Sequence, residues 1–143
     1  MQIDDGKLFV ASYQGRIVGI DISSGRILWA EDLSSLNGVG TGFGNVYVAK
    51  ADSQLTAYNA ANGREIWNVD ALLYRDITAP ISIGSYLVFT DFEGYAHVVA
   101  QSDGRFVGRR KIDGSGVKAG LVSFGDRIYA LTDSGTLAAI EIR

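Results

Sequence analysis

VYVAKADSQLTAYNAANGREIW, residues 46–67, decides the fold. Val46–Lys50 and Gln54–Asn59 read as short strands, Asn62-Gly63 as a tight turn, and the run ending on Trp67 as a third strand. The pattern stands thirty-eight residues earlier as LFVASYQGRIVGIDISSGRILW, residues 8–29. It returns forty-one residues later as LVFTDFEGYAHVVAQSDGRFVG, residues 87–108, and IYALTDSGTLAAIEIR from Ile128 starts a fourth copy. Gly15, Gly94 and Gly135 share one column, Gly25, Gly63 and Gly104 another, and Trp29 and Trp67 a third. Short strands repeating about every forty residues mark a β-propeller array. The expectation is an all-β fold of four-stranded antiparallel blades, about four of them. They form one partial propeller domain over 1–143, in units of about 1–34, 35–74, 75–115 and 116–143.

The totals agree. At 143 residues the chain can bury roughly 70% of its unfolded surface. Eighteen glycines against one proline, placed at repeat spacing, mean many tight turns rather than disorder. A net charge of −3 argues against nucleic acid as a partner, whose phosphates need a basic surface. The absence of cysteine removes disulfides, thiolate metal sites and cysteine nucleophiles together. No apolar run approaches the ~20 residues of a membrane-spanning helix. No secretory leader precedes the first strand-like residues, so the chain is read as starting at a mature terminus or inside a longer protein.

Taken in order, Met1–Asp5 reads as an inner strand closed by a turn at Asp5-Gly6. Ser12–Gly15 reads as a turn with Gly15 at positive φ. The Asp21 side chain is placed to accept backbone N–H groups across the next turn, and Trp29 to cover the seam to the next blade. Asn37–Gly44 alternates glycine with Val, Thr and Phe, but a strand follows it rather than a helix, and no GK[ST] appears. It reads as an inner strand whose small residues let blades crowd the axis, not as a phosphate loop.

Asp70–Pro80 is the longest non-repeating insert, with Pro80 at the entry to the inner strand Ile81–Ile83. Arg109-Arg110-Lys111 reads as a docking patch or, more plainly, as a solvated outer strand charged to deter edge pairing. The last unit offers Leu121–Phe124, Arg127–Leu131 and Thr136–Ile140, without an outer strand before Arg143.

Catalytic chemistry is not evident. His97 is the only histidine. Near Asp91 and Glu93 it suggests a metal site, but the plainer reading is a partly buried strand histidine. Tyr47, Tyr58, Tyr95 and Tyr129 fall at repeat positions and read as packing residues. No residue is assigned to catalysis, to a cofactor or to a metal.

The unit VYVA…G-x-L-x-ALD-x-x-(T/S)-G-x-x-x-W resembles the pyrroloquinoline-quinone (PQQ)-type repeat of PQQ/WD40-like propellers. Quinoprotein dehydrogenases and the BamB family of the outer-membrane β-barrel assembly machinery share it. Three stretches resemble BamB in particular: Leu72-Leu73-Tyr74-Arg75-Asp76-Ile77-Thr78-Ala79-Pro80, Asp91-Phe92-Glu93-Gly94-Tyr95-Ala96-His97, and Ser102–Val107 followed by Asp113-Gly114-Ser115-Gly116. Thr90 stands where that family has glycine.

The resemblance is to the C-terminal half of an eight-bladed ring, so this chain corresponds to half a ring. It implies a non-catalytic scaffold at the periplasmic face of the outer membrane of a Gram-negative bacterium. Its partners would be the POTRA domains of BamA, the rest of the assembly complex and unfolded outer-membrane proteins. Membrane contact would come only through a lipid anchor on a cysteine upstream of this chain. Within it, Tyr74, Arg75 and Asp76 are the candidate contact residues, against the plainer reading that the insert covers the base of a blade. Half a ring also implies two copies pairing to rebuild eight blades. The alternatives are a fragment of a PQQ-dependent dehydrogenase, whose adjacent cysteines this chain lacks, and a generic propeller interaction module.

Overall fold

The computed structural model describes residues 2–13, 15–35, 38–118 and 120–142. Met1 and Asn37, each at the end of a predicted inner strand, Gln14 within a predicted turn, and Arg143 lie outside the described residues. The described residues form four antiparallel sheets. The first runs β1 (Gln2–Asp4), β2 (Lys7–Ala11), β3 (Gly15–Asp21), β4 (Ile27–Leu33). The second runs β5 (Val39–Gly42), β6 (Asn45–Ala49), β7 (Leu55–Asn59), β8 (Glu65–Val69). The third runs β9 (Ile81–Ile83), β10 (Tyr86–Thr90), β11 (Tyr95–Ala100), β12 (Phe106–Lys111). The fourth has three strands, β13 (Leu121–Phe124), β14 (Arg127–Leu131) and β15 (Leu137–Glu141).

Each sheet is a meander of sequential neighbours, which short turns alone can join. The inner strands β1, β5, β9 and β13 touch one another in chain order, so the sheets stand as propeller blades. The predicted all-β propeller with about four blades is the observed fold.

Repeat columns explain local geometry. A bulge falls in the same column of the first three blades, at Gly19/Ile20, Ala57/Tyr58 and Val98/Val99, where it adds twist to the outer strand. Gly94 and Gly135 adopt left-handed backbone (φ 83° and 96°), and in the second blade Ser53 does so (φ 69°). Gly15 does not, against expectation; there a Cβ would run into the Ser12 hydroxyl, so close approach rather than φ favours glycine. At Asp21 the reading holds: its Oδ1 accepts the Ser23 N–H at 2.9 Å.

The core lies in the seams between blades. Between the first two, Phe9, Ile17 and Trp29 pack against Val46, Val48 and Tyr58. Between the second and third, Tyr47, Leu55 and Trp67 pack against Leu87, Phe89 and Val99. Each indole crosses its seam as predicted. Trp29 Nε1 donates to the Ala60 carbonyl at 2.7 Å, and Trp67 Nε1 to the carbonyl of Gln101, forty-one residues beyond Ala60, at 2.9 Å. The rings lie where Cβ atoms on Gly63 and Gly104 would stand, so the second glycine column serves close approach as well as the turn.

Gln101 completes the second seam: its Oε1 accepts the Tyr47 hydroxyl at 2.8 Å and its Nε2 donates to the Gly84 carbonyl at 2.8 Å. Tyr47 and Tyr58 are buried packing residues as expected. Gly40 lies against the Pro80 backbone of the next blade, which bears out the inner-strand reading of the glycine-rich stretch.

Candidate partner-binding rim

One rim of the propeller collects the links between blades and the turns between second and third strands. Three equivalent hydrogen bonds stitch it. Ala51 N–H donates to the Ser34 carbonyl (2.8 Å), Phe92 N–H to the Arg75 carbonyl (3.0 Å), and Asp133 N–H to the Gly116 carbonyl (2.8 Å). Donors and acceptors each recur every forty-one residues, so Arg75 stands at a repeat position.

The insert follows from its bonding. The Leu73 N–H reaches the Asp70 carbonyl (3.3 Å) and the Arg75 N–H the Leu72 carbonyl (3.1 Å), which closes tight turns. The Tyr74 N–H donates back to the Asp52 carbonyl at 2.8 Å, and the Ile77 N–H to the Ser53 hydroxyl at 3.2 Å. Fully buried Ile77 then anchors the segment in the second seam. Tyr74 and Asp76 both adopt left-handed backbone (φ 61° and 52°), a conformation disfavoured for residues with a Cβ by roughly 1–2 kcal/mol. Arg75 lies between them.

Arg75 reaches inward to Asp91. Its Nε and Nη2 donate to Asp91 Oδ2 at 3.1 and 3.0 Å, and Nη2 also meets Glu93 Oε2 at 3.3 Å. The same Oδ2 takes His97 Nε2 at 2.8 Å, while Oδ1 accepts the Glu93 and Tyr95 N–H groups at 2.9 and 3.2 Å. Burial by itself would raise the Asp91 carboxyl. The bonds from His97, the Tyr95 N–H, Arg75 and the Glu93 N–H outweigh it and hold the group below its ordinary range. His97 is buried rather than partly buried, with its ring stacked on Phe89. Its Nε2 therefore serves the carboxylate that Arg75 also grips. Among the described residues no group of three or more acidic, histidine or cysteine side chains could hold a metal ion.

The three predicted contact residues thus separate. Arg75 is committed to the blade, its guanidinium 5.4 Å above the Phe92 ring. Asp76 is exposed. Tyr74 is 80% exposed, and Leu73 and exposed Phe92 share its surroundings through the insert and the Arg75–Phe92 bond. Sequence reading missed Phe92 and the hub role of Asp91. The only local signal was the Asp-x-x-Gly turn in which Asp91 caps its own loop.

The next link is pinned likewise. Asp113 accepts the hydroxyls of Thr132 (2.6 Å) and Ser134 (2.8 Å) and the Ser115 N–H (2.7 Å). The Thr132 hydroxyl above all, then the Ser115 N–H, hold its carboxyl far below the usual range.

A family model described as outer membrane protein assembly factor BamB matches residues 1–143. The BamB of Pseudomonas aeruginosa is 42% identical over 136 residues, covering 95% of this chain and 36% of that protein. The crystal structure of BamB from Moraxella catarrhalis superposes with a TM-score of 0.92 at 28% identity, covering 99% of this chain and 42% of that one. The quinohemoprotein alcohol dehydrogenase of Comamonas testosteroni shares the fold alone: TM-score 0.63 at 23% identity, covering 76% of this chain and 20% of that one. The chain spans about a third of the length of the curated relatives it matches.

Proposed function

The chain belongs to the family of the outer membrane protein assembly factor BamB, and from that premise we propose that it is a non-catalytic scaffold of outer-membrane protein assembly. On this reading it works at the periplasmic face of the outer membrane, binds the POTRA domains of BamA through its rim, and assists folding and insertion of outer-membrane proteins. The observation that carries the proposal is Tyr74, an aromatic side chain 80% exposed on a loop tied down at Ile77 and Arg75. A rigidly held, exposed tyrosine binds with little loss of side-chain freedom, and tyrosine is a common interface anchor. Arg75 positions the loop, and Asp76 flanks the contact.

Titration with purified POTRA domains tests this. Tyr74→Ala is expected to weaken binding by at least about tenfold, as truncation of an interface anchor does, with the melting curve unchanged. Wild-type affinity in the variant would refute the rim contact.

A second reading concerns assembly, because the two end blades carry the seam columns without a neighbour. On the fourth blade Tyr129 and Leu137 occupy the columns of Phe9 and Ile17, and Leu137 is 71% exposed. On the first blade Leu8, Val10 and Ile20 occupy those of Val46, Val48 and Tyr58. We propose that two copies close these faces on one another and complete an eight-bladed ring. Light scattering on a sizing column is expected to return a mass near twice 15.3 kDa. A monomer at micromolar concentration would overturn it.

A further inference from the structure

The third blade leaves one buried polar atom, His97 Nδ1, without a hydrogen-bond partner among the described residues. The second blade shows how the repeat treats that place. Thr56 holds the column of His97 and Asn68 that of Arg109, and each pair faces across the last two strands of its blade. In the second blade the Thr56 hydroxyl donates to Asn68 Oδ1, so the buried polar group is satisfied within the sheet. In the third, the Arg109 guanidinium lies over the Tyr95 ring, 5.3 Å from its centroid, and does not meet Nδ1. A nitrogen that has lost water and gained no bond is costly, and a ligand able to meet it removes that cost.

Space lies beside it. A cavity of about 430 Å³ opens between the insert, at Ala71 and Leu72, and the outer strands of the third blade, at His97, Phe106, Val107 and Arg109. The volume suits a small organic molecule. Both flanking blades carry four strands, and the lining falls within residues 71–109.

The lining sets the chemistry. Leu72, Phe106 and Val107 are apolar, and the Phe106 ring meets the imidazole edge-on with 6.1 Å between centroids. Arg109 flanks them with a guanidinium, which favours the face of an aromatic ring and repels a cation. Nε2 bonds the Asp91 carboxylate, which is held ionised and only accepts, so the hydrogen of the neutral ring sits on Nε2 and Nδ1 accepts. A hydroxyl group donates to that lone pair, and accepts equally well from an imidazolium N–H.

We propose that this cavity binds a phenolic ring, its hydroxyl on His97 Nδ1 and its body between Leu72 and Val107. Nδ1 is covered, so entry turns aside the Phe106 side chain, which is 43% exposed on the outermost strand and has room to move. The site adjoins the insert but does not use Tyr74, and it stands or falls separately from the rim contact.

The protein has a single histidine, so isotopically labelled imidazole gives one Nδ1 resonance to follow by NMR. Titrating the 143-residue chain with p-cresol is expected to shift that resonance saturably, with a Kd of about 1 mM or below. Toluene, the same molecule without its hydroxyl, should bind at least about tenfold more weakly and leave the resonance in place. Val107→Trp, which fills the cavity from a half-exposed position, should weaken p-cresol at least about tenfold. Tyr74→Ala should leave binding unchanged. A blocked Gly-Tyr-Gly tripeptide separates the two sources of a phenol. Affinity no greater than that of p-cresol assigns the site to free small phenols, and tighter binding assigns it to a tyrosine side chain of a partner polypeptide.

No saturable shift with p-cresol, an equal shift with toluene, or full affinity in a folded Val107→Trp protein overturns the proposal. So does loss of binding in Tyr74→Ala, which would put the phenol on the rim. Should Val107→Trp fail to fold by circular dichroism, the comparison of p-cresol with toluene on the wild-type protein decides the matter alone.

Discussion

Trp67→Ala is expected to lower the free energy of unfolding by about 3–5 kcal/mol, the usual cost of truncating a large buried aromatic side chain. The indole is 9% exposed and stacks on Tyr47 with 5.7 Å between ring centroids. It also supplies the hydrogen bond to Gln101 that joins the second and third blades. Truncation therefore loses buried apolar area, opens a cavity under Gly104 and orphans a buried carbonyl together. For a chain of this length the melting temperature should fall by roughly 10–20 °C. The neighbouring Ile66→Ala, at a position 43% exposed, should stay within about 0.5 kcal/mol of wild type. Urea melts of both variants check this. A Trp67→Ala loss below about 1 kcal/mol would mean that the seam is not held by the indole.

Asp91→Ala should cost about 1.5–3 kcal/mol, because the buried carboxylate gathers hydrogen bonds from half-buried Arg75, buried His97 and two backbone N–H groups, and its removal leaves the His97 ring uncompensated. Arg75 would keep Glu93 as its ion-pair partner, and the buried His97 ring would lose its only hydrogen-bond partner among the described residues. The insert would loosen with them, so the variant should also gain protease cleavage near Tyr74.

The pH dependence has a definite sign. The folded carboxyl lies below its unfolded value of about 3.9. Its contribution is present in full above that value and is lost as pH falls through the folded one. Urea midpoints of wild type and Asp91→Ala should therefore differ most near neutrality and converge in acid. An equal gap at every pH would remove the carboxylate from the account.

Much of this was legible in advance because the repeat writes the same physics several times. The hairpin turns and the two tryptophans recur at the spacing that defines the blades, so one copy interprets the others. The second-blade turn shows the limit: Ser53 takes the left-handed backbone that the glycine column leads one to expect, while Gly15 does not. A column of residue types records what is tolerated at a position; the conformation there is set by its neighbours.

The insert was harder to read. Tyr74, Arg75 and Asp76 look equivalent as a polar run, and only the fold separates them. Arg75 meets Asp91 sixteen residues away because a strand and a turn bring the two together. Local propensity carries no information about such a meeting. Phe92 was missed for the same reason, since its exposure depends on how the insert passes its turn.

By itself, then, the sequence determined the blade plan: short strands, a period near forty residues and tryptophans at the seams. Those features follow from alternation, turn chemistry and repetition, all of which act over a few residues. Tertiary structure alone decided which charged side chains are buried and which rim aromatic reaches solvent. These depend on which atoms of distant segments come within hydrogen-bonding or van der Waals range, and that is settled only when the blades pack.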